Sequence, residues 1–85
     1  MGKYKIEIKQ SAVKELGKIP VRDLKKIVSK IESLSHNPRP MGCEKLSAQE
    51  RYRLRQGHYR ILYSIEDDIL TVYVVKIAHR KDVYR

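Results

Sequence analysis

The segment RYRLRQGHYRILYSI, residues 51–65, contains two runs of alternating side chains on either side of a short polar turn. In the first run, arginines alternate with Tyr52 and Leu54. In the second run, tyrosines and isoleucines alternate with residues of the other parity, Arg60 among them. Successive side chains of a strand point to opposite faces, so each run predicts a β-strand. With Gly57 in the turn, the segment predicts an antiparallel hairpin that has one apolar face and one guanidinium face.

Four arginines fall on the guanidinium face of this hairpin: Arg51, Arg53, Arg55 and Arg60. No acidic residue occurs within the segment, and the next along the chain is Glu66. Side-by-side guanidinium groups without acids nearby repel each other, and an anion between them relieves that repulsion. We therefore expect this face to bind a polyanion such as a phosphate chain, with a merely solvated sheet face as the alternative.

The composition is consistent with one small domain over residues 1–85. The chain has a formal net charge of +9 and a pI near 9.9. This excess of positive charge is typical of nucleic-acid binding, although an anionic membrane or an acidic protein partner would also suit it. No apolar run is long enough to cross a membrane, and no signal peptide is expected.

Cysteine and histidine usage excludes several kinds of site. Cys43 is the single cysteine, which excludes an intrachain disulfide and is consistent with a reducing cytoplasm. The three histidines, His36, His58 and His79, lack the spacing of metal ligands, so we expect neither a metal site nor a cofactor.

Two helices are predicted before the hairpin. Ser11 is a candidate N-cap for a short helix that ends at Leu16, before Gly17. A longer amphipathic helix begins at Pro20 and ends near Ser35, with apolar residues recurring every three or four positions. Its outer face carries Lys25, Lys26 and Lys30, which are either solvated or in contact with a nucleic acid or an acidic partner.

Two further strands complete the predicted fold. Residues 3–9 alternate between apolar and charged side chains, and residues 69–77 form the most hydrophobic run, with Tyr73, Val75 and Ile77 on one face. Residues 37–48 are predicted to form a surface connection anchored by Leu46. The expected fold is α+β, in the order β-α-α-β-β-β. Its two N-terminal helices pack on one face of a four-stranded, mainly antiparallel sheet, and the opposite face is open.

The segments GHYRILYSIEDD and AHRKDVYR are the most specific part of a similarity that covers the whole chain in element order. By this similarity, the chain resembles the RelE branch of the RelE/ParE superfamily of bacterial and archaeal toxins. The resemblance implies a toxin of a type II toxin–antitoxin system that is neutralised by a cognate antitoxin. It also implies a metal-independent, ribosome-dependent endoribonuclease that cleaves mRNA in the ribosomal A site. The ribose 2′-OH would attack the adjacent phosphate and leave a 2′,3′-cyclic phosphate.

The same resemblance implies roles for individual residues. Arg60 would stabilise charge on the scissile phosphate, Arg80 would lie near the leaving group, and Tyr84 would orient the substrate nucleotide. Arg53 and Arg55 stand where well-known members carry two lysines. An arginine has a pKa above ~12 and is almost never neutral near pH 7, so these two catalytic candidates are expected to bind phosphate and stabilise charge, not to accept a proton.

Several groups remain open as the general base and acid: Tyr84, His79, His58, and the ribosomal RNA or water. The wider set of predicted RNA-binding residues is Arg51, Arg53, Arg55, Lys76, His79, Lys81 and Arg85. Two other functions compete with the nuclease. One is a ParE-like toxin that poisons DNA gyrase, and the other is a non-catalytic basic RNA-binding module.

Overall fold

The computed structural model of the protein describes residues 3–46 and 51–79. Within them, two helices accompany one five-stranded sheet with the strand order β1-β5-β4-β3-β2. The elements are β1 (Lys5–Ile8), α1 (Gln10–Leu16), α2 (Val21–Ser33), β2 (Glu44–Lys45), β3 (Arg51–Gln56), β4 (Tyr59–Glu66), a short 3-10 turn (Asp67–Ile69) and β5 (Thr71–His79). The predicted α+β fold is confirmed, with one additional strand, β2.

Strand pairing explains why the sheet is mainly antiparallel. Strands β3, β4 and β5 follow one another through tight turns and pair antiparallel, and β2 also pairs antiparallel with β3. Strand β1 pairs parallel with β5, which is possible because both helices lie between them in the chain. The first and last strands of the chain are therefore neighbours.

Helix α1 begins earlier than its sequence predicts. It starts at Gln10 with Lys9 at the N-cap, so Ser11 lies inside the first turn and does not cap the helix. Pro20 likewise occupies the N-cap of α2 and not its first turn. The ends of both helices agree with the sequence to within about two residues.

The core lies between the helices and one face of the sheet. Helix α2 contributes Ile27 and Ile31, its C-cap contributes Leu34, and α1 contributes Ala12, all of them buried. The sheet contributes a larger set of buried apolar side chains: Tyr52, Leu54, Ile61, Tyr63, Ile65, Val72, Val74 and Ile77. Fully burying a large aliphatic side chain contributes about 1.5–3 kcal/mol, so this shared layer holds the helices on the sheet.

A β-bulge changes the side-chain pattern of β5. Leu62 pairs with Lys76, but the next residue of β4, Tyr63, pairs with Val74, so Val75 is an extra residue in β5. The predicted grouping of Tyr73 with Val75 and Ile77 on one face is therefore wrong. Tyr73 lies on the face opposite the core, because strict alternation does not hold across a bulge.

The connection between α2 and β3 is more ordered than predicted. Glu44 and Lys45 form β2, and Glu44 pairs with Arg53 of β3. Leu46 is 44% exposed, so it is not the core anchor that the sequence suggested. This connection instead places an acidic side chain beside the hairpin.

Candidate nucleic-acid interface

The register of the β3–β4 hairpin places its arginines on one face, as predicted. Arg55 lies opposite Arg60, and Arg53 lies opposite Leu62. Cross-strand partners share a face of the sheet, and the other face carries the pair Tyr52 and Tyr63, which belongs to the core. We call the four hairpin arginines (Arg51, Arg53, Arg55 and Arg60) the arginine face.

Arg60 is the buried member of the arginine face. The residue is only 6% exposed, and its Nη1 donates a hydrogen bond to the backbone oxygen of Tyr59 at 3.3 Å. No carboxylate of residues 3–46 or 51–79 forms an ion pair with it. A guanidinium stays charged when it is buried, and a buried charge is costly without a counter-charge. An anion bound at Arg60 would lower this cost.

An acidic residue lies on the arginine face, contrary to the prediction that acids are absent there. The Nε and Nη2 atoms of Arg53 donate to the same oxygen of Glu44, over 3.1 and 2.9 Å. Both residues line a depression of about 380 Å³ together with Arg55 and Arg60. The side chain of Glu44 is 57% exposed, and such surface ion pairs contribute only about 0–1 kcal/mol. An incoming phosphate can therefore displace the carboxylate from Arg53.

The predicted histidines lie on the other side of the sheet. His79 pairs with Tyr59 across β4 and β5, on the face that carries the core, whereas Arg60 pairs with Ala78. The rings of His79 and Tyr59 meet edge to face at 5.3 Å, and His58 stacks on His79 at 6.1 Å. The structure thus groups these residues with each other and not with the arginine face.

Lys76 is held at the edge of the sheet. Its Nζ donates to one carboxylate oxygen of Glu15 at 3.1 Å, and the backbone N–H of Ile77 donates to the other oxygen at 2.9 Å. Glu15 therefore joins α1 to the part of β5 that extends beyond β1. A role of Lys76 in RNA binding would require its ammonium group to exchange this partner.

The remaining predicted site residues, Arg80, Lys81, Tyr84 and Arg85, lie outside the described residues, and their roles stay predictions. Among residues 3–46 and 51–79, no group of three or more His, Cys, Asp or Glu side chains could hold a metal ion. In the same part of the chain, neither helix is long and apolar enough to cross a membrane.

Comparison with known proteins identifies the family. A model of the ParE toxins of type II toxin–antitoxin systems (parDE) matches residues 6–84. The chain belongs to this toxin family. Toxin RelG of Mycobacterium tuberculosis is 32% identical to it over 84 residues, which cover 96% of this chain and 97% of that protein.

Solved structures confirm that the toxin is RelE-like. One chain of the M. tuberculosis toxin–antitoxin complex RelBE2 matches it with a TM-score of 0.81 and 30% identity, over 92% of this chain and 99% of that chain. The isolated RelE toxin of E. coli matches with a TM-score of 0.80 over 95% of this chain and 90% of that chain. Its identity is 21%, so this second similarity concerns the fold alone.

Sequence reasoning missed one residue that lines the depression of the arginine face, Glu44. Glu44 belongs to a strand of only two residues, which is too short to show an alternating pattern. Its partner Arg53 is nine positions away. Only the pairing of β2 with β3 brings the two side chains together.

Proposed function

We propose that this toxin is an endoribonuclease that inhibits translation by cleaving mRNA in the ribosomal A site. The observation that carries the proposal is the buried guanidinium of Arg60, surrounded on the same face by Arg53 and Arg55. Fixed cations in a partly dehydrated site stabilise charge that develops in a transition state, and removing one such donor typically costs about 10²–10³ in rate. The phosphodiester backbone of RNA is a polyanion that fits this arrangement.

In the proposed reaction, the ribose 2′-OH loses its proton and its oxygen attacks the neighbouring phosphorus. The bond to the 5′ oxygen breaks, and that oxygen takes up a proton, which leaves a 2′,3′-cyclic phosphate and a 5′-hydroxyl. Arg60 stabilises the extra negative charge on the phosphate, and Arg53 and Arg55 bind and orient it. By resemblance, Arg80 acts near the leaving oxygen and Tyr84 orients the nucleotide.

Glu44 enters the proposal as a proton acceptor, beside Tyr84. It is the one carboxylate among the described residues that line the depression of the arginine face. An ionised carboxylate only accepts hydrogen bonds, so it can hold the 2′-OH and take its proton. We expect Glu44→Gln to lower the single-turnover cleavage rate at least tenfold. An unchanged rate would exclude Glu44 as the base.

We also propose a cognate antitoxin as the partner of this toxin in the cytoplasm. Several of the structures similar to it are toxin–antitoxin complexes, including RelBE2 of M. tuberculosis. The net charge of +9 and the arginine face favour a partner that brings carboxylates to the hairpin. Such a partner would compete with RNA for the same guanidinium groups.

The deciding experiment is in vitro translation with the purified toxin, with mRNA ends mapped by primer extension. Wild type is compared with Arg60→Ala, Arg80→Ala and Tyr84→Phe, and Lys14→Ala serves as a control that removes an exposed charge from α1. We expect ribosome-dependent cuts within A-site codons that weaken in the three site variants alone. Intact mRNA together with normal translation would refute the proposal.

A gyrase poison is the second candidate, because the matching family model is that of ParE toxins. The same purified proteins can be tested for gyrase-dependent breaks in plasmid DNA. Breaks in DNA without cuts in mRNA would favour this candidate over the nuclease.

A further inference from the structure

A second basic surface lies on α2, beside the hairpin. Lys25, Lys26 and Lys30 line an open depression of about 420 Å³, together with Ser29, Ser33 and Gln56. Gln56 is the last residue of β3 and precedes the hairpin turn. We call Lys25, Lys26 and Lys30 the lysine face.

The lysine face is continuous with the arginine face. Lys30 lines both depressions, the one on α2 and the one that contains Arg53, Arg55 and Arg60. A chain that leaves Arg60 and passes Lys30 therefore reaches Lys26 and Lys25 without crossing an acidic surface other than Glu44. Lys26 and Lys30 lie about one turn of α2 apart, which is roughly 6 Å because a helix rises 1.5 Å per residue, and Lys25 directly precedes Lys26.

Several of the basic residues on α2 repel one another. Arg22 and Lys26 are separated by four positions, as are Lys26 and Lys30, and like charges at this spacing repel each other. In the described part of the chain, none of the three lysines forms an ion pair. Lys30 interacts favourably with the helix C-terminus, but Lys25 and Lys26 lie too far from it to do so.

We infer that the lysine face binds the phosphates of the RNA strand where it continues beyond the cleavage site. This inference rests on the proposed function and adds the path of the substrate to it. RNA is the occupant that the continuity of the two faces favours, because one phosphate chain can follow both. Lysine ammonium groups suit this role, since they act as mobile point charges that bind phosphate without reading the base.

The test compares a triple variant, Lys25→Gln with Lys26→Gln and Lys30→Gln, against a charge-matched control. The control carries Lys3→Gln, Lys9→Gln and Lys14→Gln, which lie around β1 and α1 at the far edge of the sheet. Binding is measured by fluorescence anisotropy over a salt series, with two uncleavable 2′-O-methyl RNAs. The short RNA spans the arginine face only, and the long RNA extends beyond it. Circular dichroism and thermal unfolding establish that each variant is folded.

We expect the lysine variant to bind the long RNA more weakly than wild type. The slope of log K against log salt should become shallower by about 2, because each phosphate contact to a single strand contributes about 0.7. The slope for the short RNA should change by at most about 0.7, the contribution of Lys30, because Lys30 also lines the depression of the arginine face. The control should behave as wild type. A variant with arginine at the three positions should restore the slope.

Equal slopes for wild type and the lysine variant on the long RNA would overturn the inference, while A-site cleavage by wild type would leave the proposed function intact. Weaker binding of an acidic antitoxin with unchanged binding of RNA would also overturn it, in favour of a protein partner. Loss of the proposed function itself would show separately, as intact mRNA in the translation reaction with wild type.

Discussion

At the scale of single residues, Arg60 combines burial with permanent charge. Its neighbours on the arginine face are more exposed, so water screens their charges more strongly. The interaction of Arg60 with a phosphate should therefore be the strongest of the four. Its planar guanidinium also offers two parallel donors, which a lysine cannot reproduce.

We predict that Arg60→Lys lowers the cleavage rate by about 10²-fold although the charge is kept, because the bidentate geometry is lost. The rate is measured in single turnover on programmed ribosomes. Arg51→Lys, at the exposed end of β3, is the matched control and should change the rate less than threefold. Equal rates for both variants would mean that Arg60 supplies charge alone.

Tyr63 shows how burial acts on a single core group. Its ring is fully buried, and its hydroxyl donates to the backbone oxygen of Pro38 at 2.8 Å. Burial is the largest cause that raises the pKa of Tyr63 above its ordinary value, and the neighbouring Cys43 thiol is the second. The folded state therefore keeps the phenol proton at a pH at which the unfolded chain releases it.

We predict that Tyr63→Phe lowers the free energy of unfolding by about 1 kcal/mol at pH 7, through the lost hydrogen bond. Because the folded pKa is raised, the stability linked to this proton is complete below pH ~10 and is lost as the pH rises further. The difference between wild type and variant should therefore narrow above pH 10 in urea unfolding. Tyr73→Phe, on the opposite face, should show neither effect.

At the scale of elements, the hairpin turn sets the register of the arginine face. Gly57 has a φ of 61°, and His58, which follows it, does not have a positive φ. This is the sign pattern of a type II′ turn, whose twist matches that of the flanking strands. A slip of one residue would move every arginine to the core face.

We predict that Gly57→Ala destabilises the toxin by about 1–2 kcal/mol, since an L-residue in the left-handed region costs that amount. Thermal and urea unfolding measure this change. Gly17→Ala is the control, because Gly17 has a φ of −65° and an added Cβ would meet only ordinary contacts. A loss of stability as large in the control would indicate that φ at residue 57 is not the cause.

At the scale of the whole molecule, one polar network joins segments that are distant in sequence. Arg39 donates to Asp67 over 2.9 Å and, through Nε, to the hydroxyl of Tyr52 at 2.9 Å. Tyr4 donates to Asp67 at 2.6 Å. The network ties together the residue before β1, the connection after α2, strand β3 and the turn before β5, at the end of the sheet away from the hairpin.

We predict that this network makes stability depend on pH in the acid range. The hydrogen bonds from Arg39 are the largest cause that lowers the pKa of Asp67 below its ordinary value, and the hydrogen bond from Tyr4 is the second. Because the pKa of Asp67 is lower in the folded state than in the unfolded chain, its ionised carboxylate contributes stability above pH ~4. This contribution is lost as the pH falls through the pKa of the folded state. Asp67→Asn should therefore unfold more easily than wild type at pH 5–7, with the difference vanishing at lower pH. Asp68→Asn, in the same turn, should match wild type throughout.

The amino-acid sequence by itself determined the hairpin, the amphipathic helix α2 and the positive charge of the site. These features depend on local periodicity, because side chains repeat every two residues in a strand and every 3.6 in a helix. The shared face of Arg53, Arg55 and Arg60 followed from that alternation alone. The resemblance of residues 57–68 to RelE toxins was likewise readable from the sequence, and the similarity of the chain to toxin RelG and to RelBE2 confirmed the RelE-like family.

Only the tertiary structure decided which groups meet at the site. It paired Glu44 with Arg53, separated His79 from Arg60, and inserted Val75 as a bulge that reversed the predicted face of Tyr73. It also buried Arg60, although its alternating pattern predicted an open face. These outcomes depend on strand pairing and packing between residues far apart in the chain, and local periodicity carries no information about such contacts.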